Sequence, residues 1–162
     1  MAFCDISKAF DRVWHKRLIH KAHQYGINRN ILNWLNNYSC YRTQTVFVGS
    51  DFSSPKPLKA DVPQGSVLGP LLFLIIVNDI AYSFLSITRL FADDSSLAIS
   101  SNDITHIEVT LNKDLNVLNL WSKQWLINFN PAKTEVLFLS LVRRNKPNLI
   151  VNDTSLLCVA IR

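Results

Sequence analysis

Two adjacent carboxylates, Asp93 and Asp94, follow Phe91-Ala92 and stand between two apolar, strand-like runs, Ile87 to Phe91 and Leu97 to Ser100. Acidic residues suit turns, so this segment predicts a hairpin with Ala92 to Ser96 near its tip. Neighbouring carboxylates repel, and a bound cation is one way to offset the repulsion. Neighbouring strand side chains point to opposite faces. Asp93 and Asp94 therefore do unequal jobs, unless the turn re-aims one of them.

Around this hairpin the chain reads as α+β. Residues 2–6 look like half a strand ending at Asp5. Lys16 to Tyr25 predicts a helix with Gly26 as its left-handed stop, and Arg29 to about Tyr41 a second, with Ile31, Leu32, Leu35 and Tyr38 on one face. Thr43 to Val48 alternates and is β-branched, so it predicts a strand. Gly49-Ser50-Asp51 reads as a turn, and Phe52 to Lys59 as a Pro-rich edge pairing back. Gly69-Pro70 opens a helix that is apolar nearly all round from Leu71 to Ile80, and therefore buried. Ile104, Ile107, Leu111, Leu115, Leu118 and Trp125 recur at helical spacing. Val136 to Leu139 predicts a strand, and Leu149 to Val151 with Leu156 to Ile161 a closing hairpin. The expected fold is an antiparallel sheet with helices packed on one face.

Size and composition permit this. At 162 residues and 48% apolar content the chain can bury one ordinary core. The longest apolar run, Leu71 to Val77, is too short to cross a bilayer. Met1 to Asp5 has neither the basic nor the long apolar region of a signal peptide. Cys4, Cys40 and Cys158 are odd in number with no paired spacing, which fits free thiols in a reducing, intracellular compartment. The formal charge of +5 suits a polyanionic partner, although many globular domains are mildly basic.

Three carboxylates on strand-like segments far apart in sequence, Asp5 with Asp93 and Asp94, are what divalent-cation phosphoryl-transfer chemistry needs, because hard cations take oxygen ligands. Taken alone, Asp5 reads better as a cap of the next helix. His15, His20 and His23 lack a cysteine partner at zinc spacing. Arg143, Arg144 and Lys146 read as a solvated basic turn. Trp14, Trp34, Trp121 and Trp125 sit in helical settings that favour core packing over base stacking.

Four ordered blocks carry a resemblance. Phe3-Cys4-Asp5-Ile6-Ser7-Lys8-Ala9-Phe10-Asp11-Arg12-Val13-Trp14-His15 resembles motif A of reverse transcriptases from non-LTR (LINE-type, jockey-like) retrotransposons. Val62 to Pro70, followed by Leu71-Leu72-Phe73, is similar to their motif B. Phe91 to Asp94 is similar to motif C, and Trp125 to Glu135 to the motif D region. The match runs from about residue 3 to 140, in the family's order. The wording of motifs A and B resembles the LINE-type versions more than group II intron or telomerase-like ones.

The resemblance implies a polymerase palm over residues 1–140, with the fingers expected upstream missing. Residues 141–162 would begin the hairpin that follows the palm, and the thumb would be missing. It implies RNA-directed DNA synthesis on an RNA template and DNA primer from dNTPs, in nucleus or cytoplasm, with no membrane. Asp5 and Asp93 would hold two Mg²⁺ ions, for which Mn²⁺ can substitute, with Asp94 a less direct third member. By the same resemblance Lys133 would complete the catalytic set, protonating or neutralising the leaving pyrophosphate. Phe10 is similar to a steric gate against a 2′-hydroxyl, Gln64 to a contact with the incoming nucleotide, and Gly65 to a point of close backbone approach. Phe10 also reads as simple core, and Lys133 as a solvated surface lysine. Asp11 reads as a helix support or cap. The rival expectation is a catalytically inactive remnant that at most binds nucleic acid.

Overall fold

The computed structural model describes residues 1–140, 145–151 and 154–161. In chain order its elements are β1 (Ala2–Asp5), α1 (His15–Gln24), α2 (Arg29–Ser39), β2 (Thr43–Gln44), β3 (Phe47–Val48), β4 (Asp51–Phe52) and β5 (Lys56–Pro57). There follow α3 (Leu68–Val77), β6 (Ile87–Phe91), β7 (Asp94–Ala98), α4 (Ile104–Trp125), β8 (Glu135–Leu139), β9 (Ile150–Val151), β10 (Thr154–Ser155) and β11 (Leu157–Ile161). Short 3₁₀ turns occupy Phe10–Arg12 and Ile80–Ser83. The architecture is α+β, as the sequence predicts. No helix among the described residues is long and apolar enough to cross a membrane. The chain divides into two compact units: Met1–Ala9 with Val77–Arg162, and Phe10–Ile76.

The first unit is built on a five-stranded sheet in the order β11-β8-β1-β7-β6. β1 is its centre, antiparallel to β7 on one side and to β8 on the other. Alternation along β1 buries Ala2 and Cys4 and leaves Phe3 exposed. Leu97, Ser95, Val136 and Phe138 are buried with them. Ile104, Ile107 and Leu111 of α4 share a cavity of about 590 Å³ with Ala98, Val136 and Phe138. Farther along α4, Leu115 and Leu118 are almost wholly buried. Each such leucine stabilises the fold by about 1.5–3 kcal/mol. Asp103 caps α4, its Oδ1 accepting from the Thr105 N–H at 2.9 Å. Leu126 ends it in the left-handed region at φ 58°.

Two polar side chains on α4, buried Asp114 and half-buried Asn112, hold the connections. Asp114 accepts from the Leu85 and Ser86 N–H groups, both at 2.9 Å. Asn112 donates to the Asn148 carbonyl at 2.9 Å and accepts from the Ile150 N–H at 3.0 Å. The helix thereby stands in for a strand edge along residues 148–150.

In the second unit, α1 carries a buried lysine, Lys21, whose ammonium donates to the Ile76 carbonyl in the last turn of α3. That satisfies a carbonyl the helix end leaves unpaired, where a cation is also favoured. His15 is structural here. Its Nε2 lies 2.9 Å from the Asp61 carbonyl oxygen and 3.2 Å from Asp61 Oδ1, and Arg42 reaches both Asp61 oxygens at 3.3 and 3.2 Å. β2 pairs with β5 and β3 with β4, so the predicted Thr43–Val48 strand exists as two short, exposed ladders.

Four local expectations are corrected. β11 does not pair back on β9; it runs parallel to β8 over five register pairs, while β9 takes β10 over two. The longer ladder is the better use of an alternating strand. β7 starts at Asp94, because Ser95 and Ser96 are strand residues, opposite Cys4 and Phe3, and the loop shrinks to Ala92-Asp93. α3 is buried on one face only, at Leu72, Phe73, Ile76 and Val77, while Leu71 and Leu74 are exposed. Trp34 is 51% exposed, stacked on Tyr38 at 5.5 Å, unlike the buried Trp121 and Trp125. Arg143 and Arg144 lie outside the described residues.

Candidate active site

The candidate residues fall into two groups, one in each unit.

In the first unit, β1 delivers Asp5 at its end. The strand is clamped there on both sides. The Ile6 N–H donates to the Asp93 carbonyl at 3.3 Å, and the Asp5 carbonyl accepts from the Asn130 N–H at 2.9 Å. The register places Asp94 directly opposite Asp5. Side chains opposite each other on neighbouring strands share a face, and like charges there repel. Asp94, to which the resemblance gives the lesser role, is thus the cross-strand neighbour of Asp5. Asp93 occupies the second place of the two-residue loop, alongside Ile6. Ala92 before it stands at φ 51°. A positive φ at the first loop residue alone is the type II′ pattern, which favours glycine, so this loop is strained at alanine.

Lys133 completes this group. Its turn is tied by the Asn130 carbonyl, which accepts from the Lys133 and Thr134 N–H groups at 3.1 and 3.0 Å. The exposed ammonium of Lys133 stands 3.5 Å from Asp5 Oδ2. That oxygen is buried and accepts no hydrogen bond among the described residues, so the contact with Lys133 is ionic only. Asp5, Asp94 and Lys133 line a cavity of about 420 Å³ together with Phe3, Arg89 and Phe91. Arg89 and Phe91 alternate on β6, opposite Ser96 and Asp94, and therefore share the carboxylate face.

Among the described residues, no three or more His, Cys, Asp or Glu side chains are grouped to hold a metal ion. The chemistry of the donors does fit a hard divalent cation. Asp5 and Asp94 offer only oxygens, and Asp5 Oδ2 has acceptor capacity in hand.

In the second unit, Phe10, Gln64 and Gly65 line one cavity of about 430 Å³ with Pro63, Ser66 and Pro70. Phe10 opens the 3₁₀ turn and packs on buried Phe73 at 5.1 Å, so it is both half core and half cavity wall. The Val62 N–H donates to the Phe10 carbonyl at 2.9 Å. Gln64 Nε2 donates to Asp11 Oδ1 at 3.1 Å. Gly65 stands at φ +79° with open space where a Cβ would be, so its first requirement is backbone conformation. Ser66 caps α3: its Oγ accepts from the Gly69 N–H at 3.0 Å and donates to the Pro63 carbonyl at 2.7 Å.

Sequence reasoning missed Arg89 and the Asp11–Gln64 pair. Arg89 was open to detection, as a charge two residues before Phe91 on an alternating strand. The pair spans 53 positions and leaves no local pattern.

The family described as "Reverse transcriptase (RNA-dependent DNA polymerase)" matches residues 1–152, and the chain belongs to it. The chain is similar to jockey-like and other non-LTR retrotransposon polymerases. It is 37% identical over 146 residues to the "Probable RNA-directed DNA polymerase from transposon BS" of Drosophila melanogaster, covering 82% of this chain and 15% of that protein. It is 33% identical over 147 residues to the "RNA-directed DNA polymerase from mobile element jockey" of the same species, with 82% and 15% covered. The jockey polymerase of Drosophila funebris is 30% identical over 162 residues, with 95% and 18% covered. The chain thus spans less than a fifth of these relatives.

Proposed function

We propose that this chain is the palm of an RNA-directed DNA polymerase, adding a deoxynucleotide to a primer 3′-hydroxyl on an RNA template. The palm spans residues 1–140, and residues 141–162 begin the segment after it. The observation that carries the reading is the convergence of Asp5, Asp94 and Lys133 on one sheet face beside the Ala92-Asp93 loop.

Asp5 and Asp93 are the proposed holders of two Mg²⁺ ions, for which Mn²⁺ can substitute, and Asp94 supports them from across the strand. When bound, such ions activate the attacking hydroxyl and stabilise the leaving group of an in-line displacement. The chain's own residues do the rest by position and charge. Lys133 now neutralises Asp5. Its long, exposed side chain is suited to meet triphosphate oxygens and to neutralise or protonate the departing pyrophosphate. Phe10 lines the proposed nucleotide cavity, where its ring would crowd out a 2′-hydroxyl, and Gln64 offers hydrogen bonds beside it.

The test is primer extension on an RNA template with dNTPs and Mg²⁺, comparing the chain with Asp93→Asn. Loss of a catalytic carboxylate is expected to lower extension by at least about a hundredfold, the scale of removing one transition-state stabilising group. Extension unchanged by the substitution sinks the assignment. A folded chain that binds template–primer but never extends it supports the rival reading, a non-catalytic nucleic-acid binder, which the net charge of +5 favours.

A further inference from the structure

We infer that Asp11 is a positioning residue for Gln64, fixing which end of that amide faces a nucleotide in the Phe10–Gln64 cavity. The inference rests on the nucleotide reading above and deepens it.

A glutamine on a surface loop is a poor recognition element by itself. Its long side chain loses rotamer freedom when held. Its two amide ends are close in shape but opposite in hydrogen bonding, so a free amide turns over and presents donor or acceptor alike. Asp11 removes both freedoms. Its Oδ1 accepts from Gln64 Nε2 at 3.1 Å. An ionised carboxylate only accepts, so the nitrogen end must face Asp11. Gln64 Oε1 and the second N–H are then left for a ligand, in one fixed order.

The backbone on both sides keeps the pair in register. Asp11 sits in the 3₁₀ turn directly after Phe10, and the Phe10 carbonyl holds the Val62 N–H at 2.9 Å, two residues before Gln64. On the far side, Ser66 ties Pro63 to the start of α3. The ring of Phe10 and the amide of Gln64 are thus set by one short turn, which couples the shape and polarity of the cavity wall. Asp11 itself is absent from the cavity lining. It acts through Gln64.

The experiment uses the full chain and dGTP with Mg²⁺ as the probe. The Gln64 side-chain amide is followed by ¹H–¹⁵N NMR and the Kd by titration. The proteins are wild type, Asp11→Asn, Asp11→Ala, Gln64→Ala and the Asp11→Ala/Gln64→Ala double variant. In the free chain, Asp11→Ala is expected to shift the Gln64 amide resonances and to remove the exchange protection of one of its protons. Asp11→Ala and Gln64→Ala should each weaken Kd by up to about tenfold, the scale of one hydrogen bond, and the double variant no further. Asp11→Asn keeps a partner that accepts or donates, so it should fall between wild type and Asp11→Ala. Additive losses in the double variant overturn the positioning role alone, as does a Gln64 amide indifferent to Asp11→Ala. A folded wild-type chain that binds no dGTP overturns the nucleotide reading, and the positioning role with it.

Discussion

Asp5 owes its place to Cys4, the residue before it. Cys4 points into the core, and burial pushes its thiol up to about 12. The protonated thiol is therefore the folded form at every ordinary pH. Folded Cys4 holds its proton where the unfolded chain has lost it, so stability is complete below about pH 9. It falls as pH rises towards 12, by about 1.4 kcal/mol per pH unit from this group alone. Urea midpoints for wild type should differ little between pH 8 and 9 and drop from pH 9 to 10 and on to 11, and do so much less for Cys4→Ala; parallel curves would show that Cys4 ionisation is not what matters. The same burial makes Cys4 inert to alkylation. The sequence marks a strand ending at Asp5, and alternation along it is enough to put Cys4 on the opposite face from Asp5. Asp114 was also within reach, as a polar residue inside the Leu111–Leu115–Leu118 stripe. Its partners, the Leu85 and Ser86 N–H groups, were not, since nothing local marks which backbone a buried carboxylate will hold.

Elements were legible where one period ran long. α4 was read from its apolar spacing, and α1 from its Gly26 stop, which takes φ +80°. The start of β7 was misread because Ser95 and Ser96 have turn-like composition; cross-strand pairing with β1 overrode it. The start of α3 shows a constraint of another kind. A Cβ on Gly69 would stand 2.6 Å from the Pro63 carbonyl oxygen and 3.2 Å from Ser66 Oγ. Alanine is the better helix former by about 1 kcal/mol. Against that, a backbone oxygen in a proline loop cannot yield cheaply, and overpacking of this kind costs about 1–3 kcal/mol. The clash wins. Gly69→Ala should therefore lower the urea midpoint and shift the amide resonances of Gln64 and Gly65, whose loop has to move. An unchanged or raised midpoint would mean that the loop gives way freely.

For the whole molecule, the order of elements was written in the sequence but the pairing order was not. The antiparallel pairing of β6 with β7 follows from the two-residue loop between them. The parallel docking of β11 on β8 follows only from which edge is free once β1 has taken β7 and β8. β1 is the piece on which the sheet depends. It is four residues long, central, and bonded to strands whose sequence positions lie roughly 90 and 130 residues away. Such non-local pairing forms late and, once formed, opens only when the unit opens. The short ladders β2–β5 and β3–β4 are at the other extreme. All of their residues are exposed, with two register pairs each. Amide hydrogen exchange, read by mass spectrometry on peptides covering residues 1–10 and 43–58, should find β1 among the slowest segments and the two ladders among the fastest. Equal protection in both peptides would mean that the central position of β1 does not set its stability. The carboxylate of Asp5 would then be held by its local contacts with the Ala92-Asp93 loop and Asn130, rather than by the sheet that brings them together.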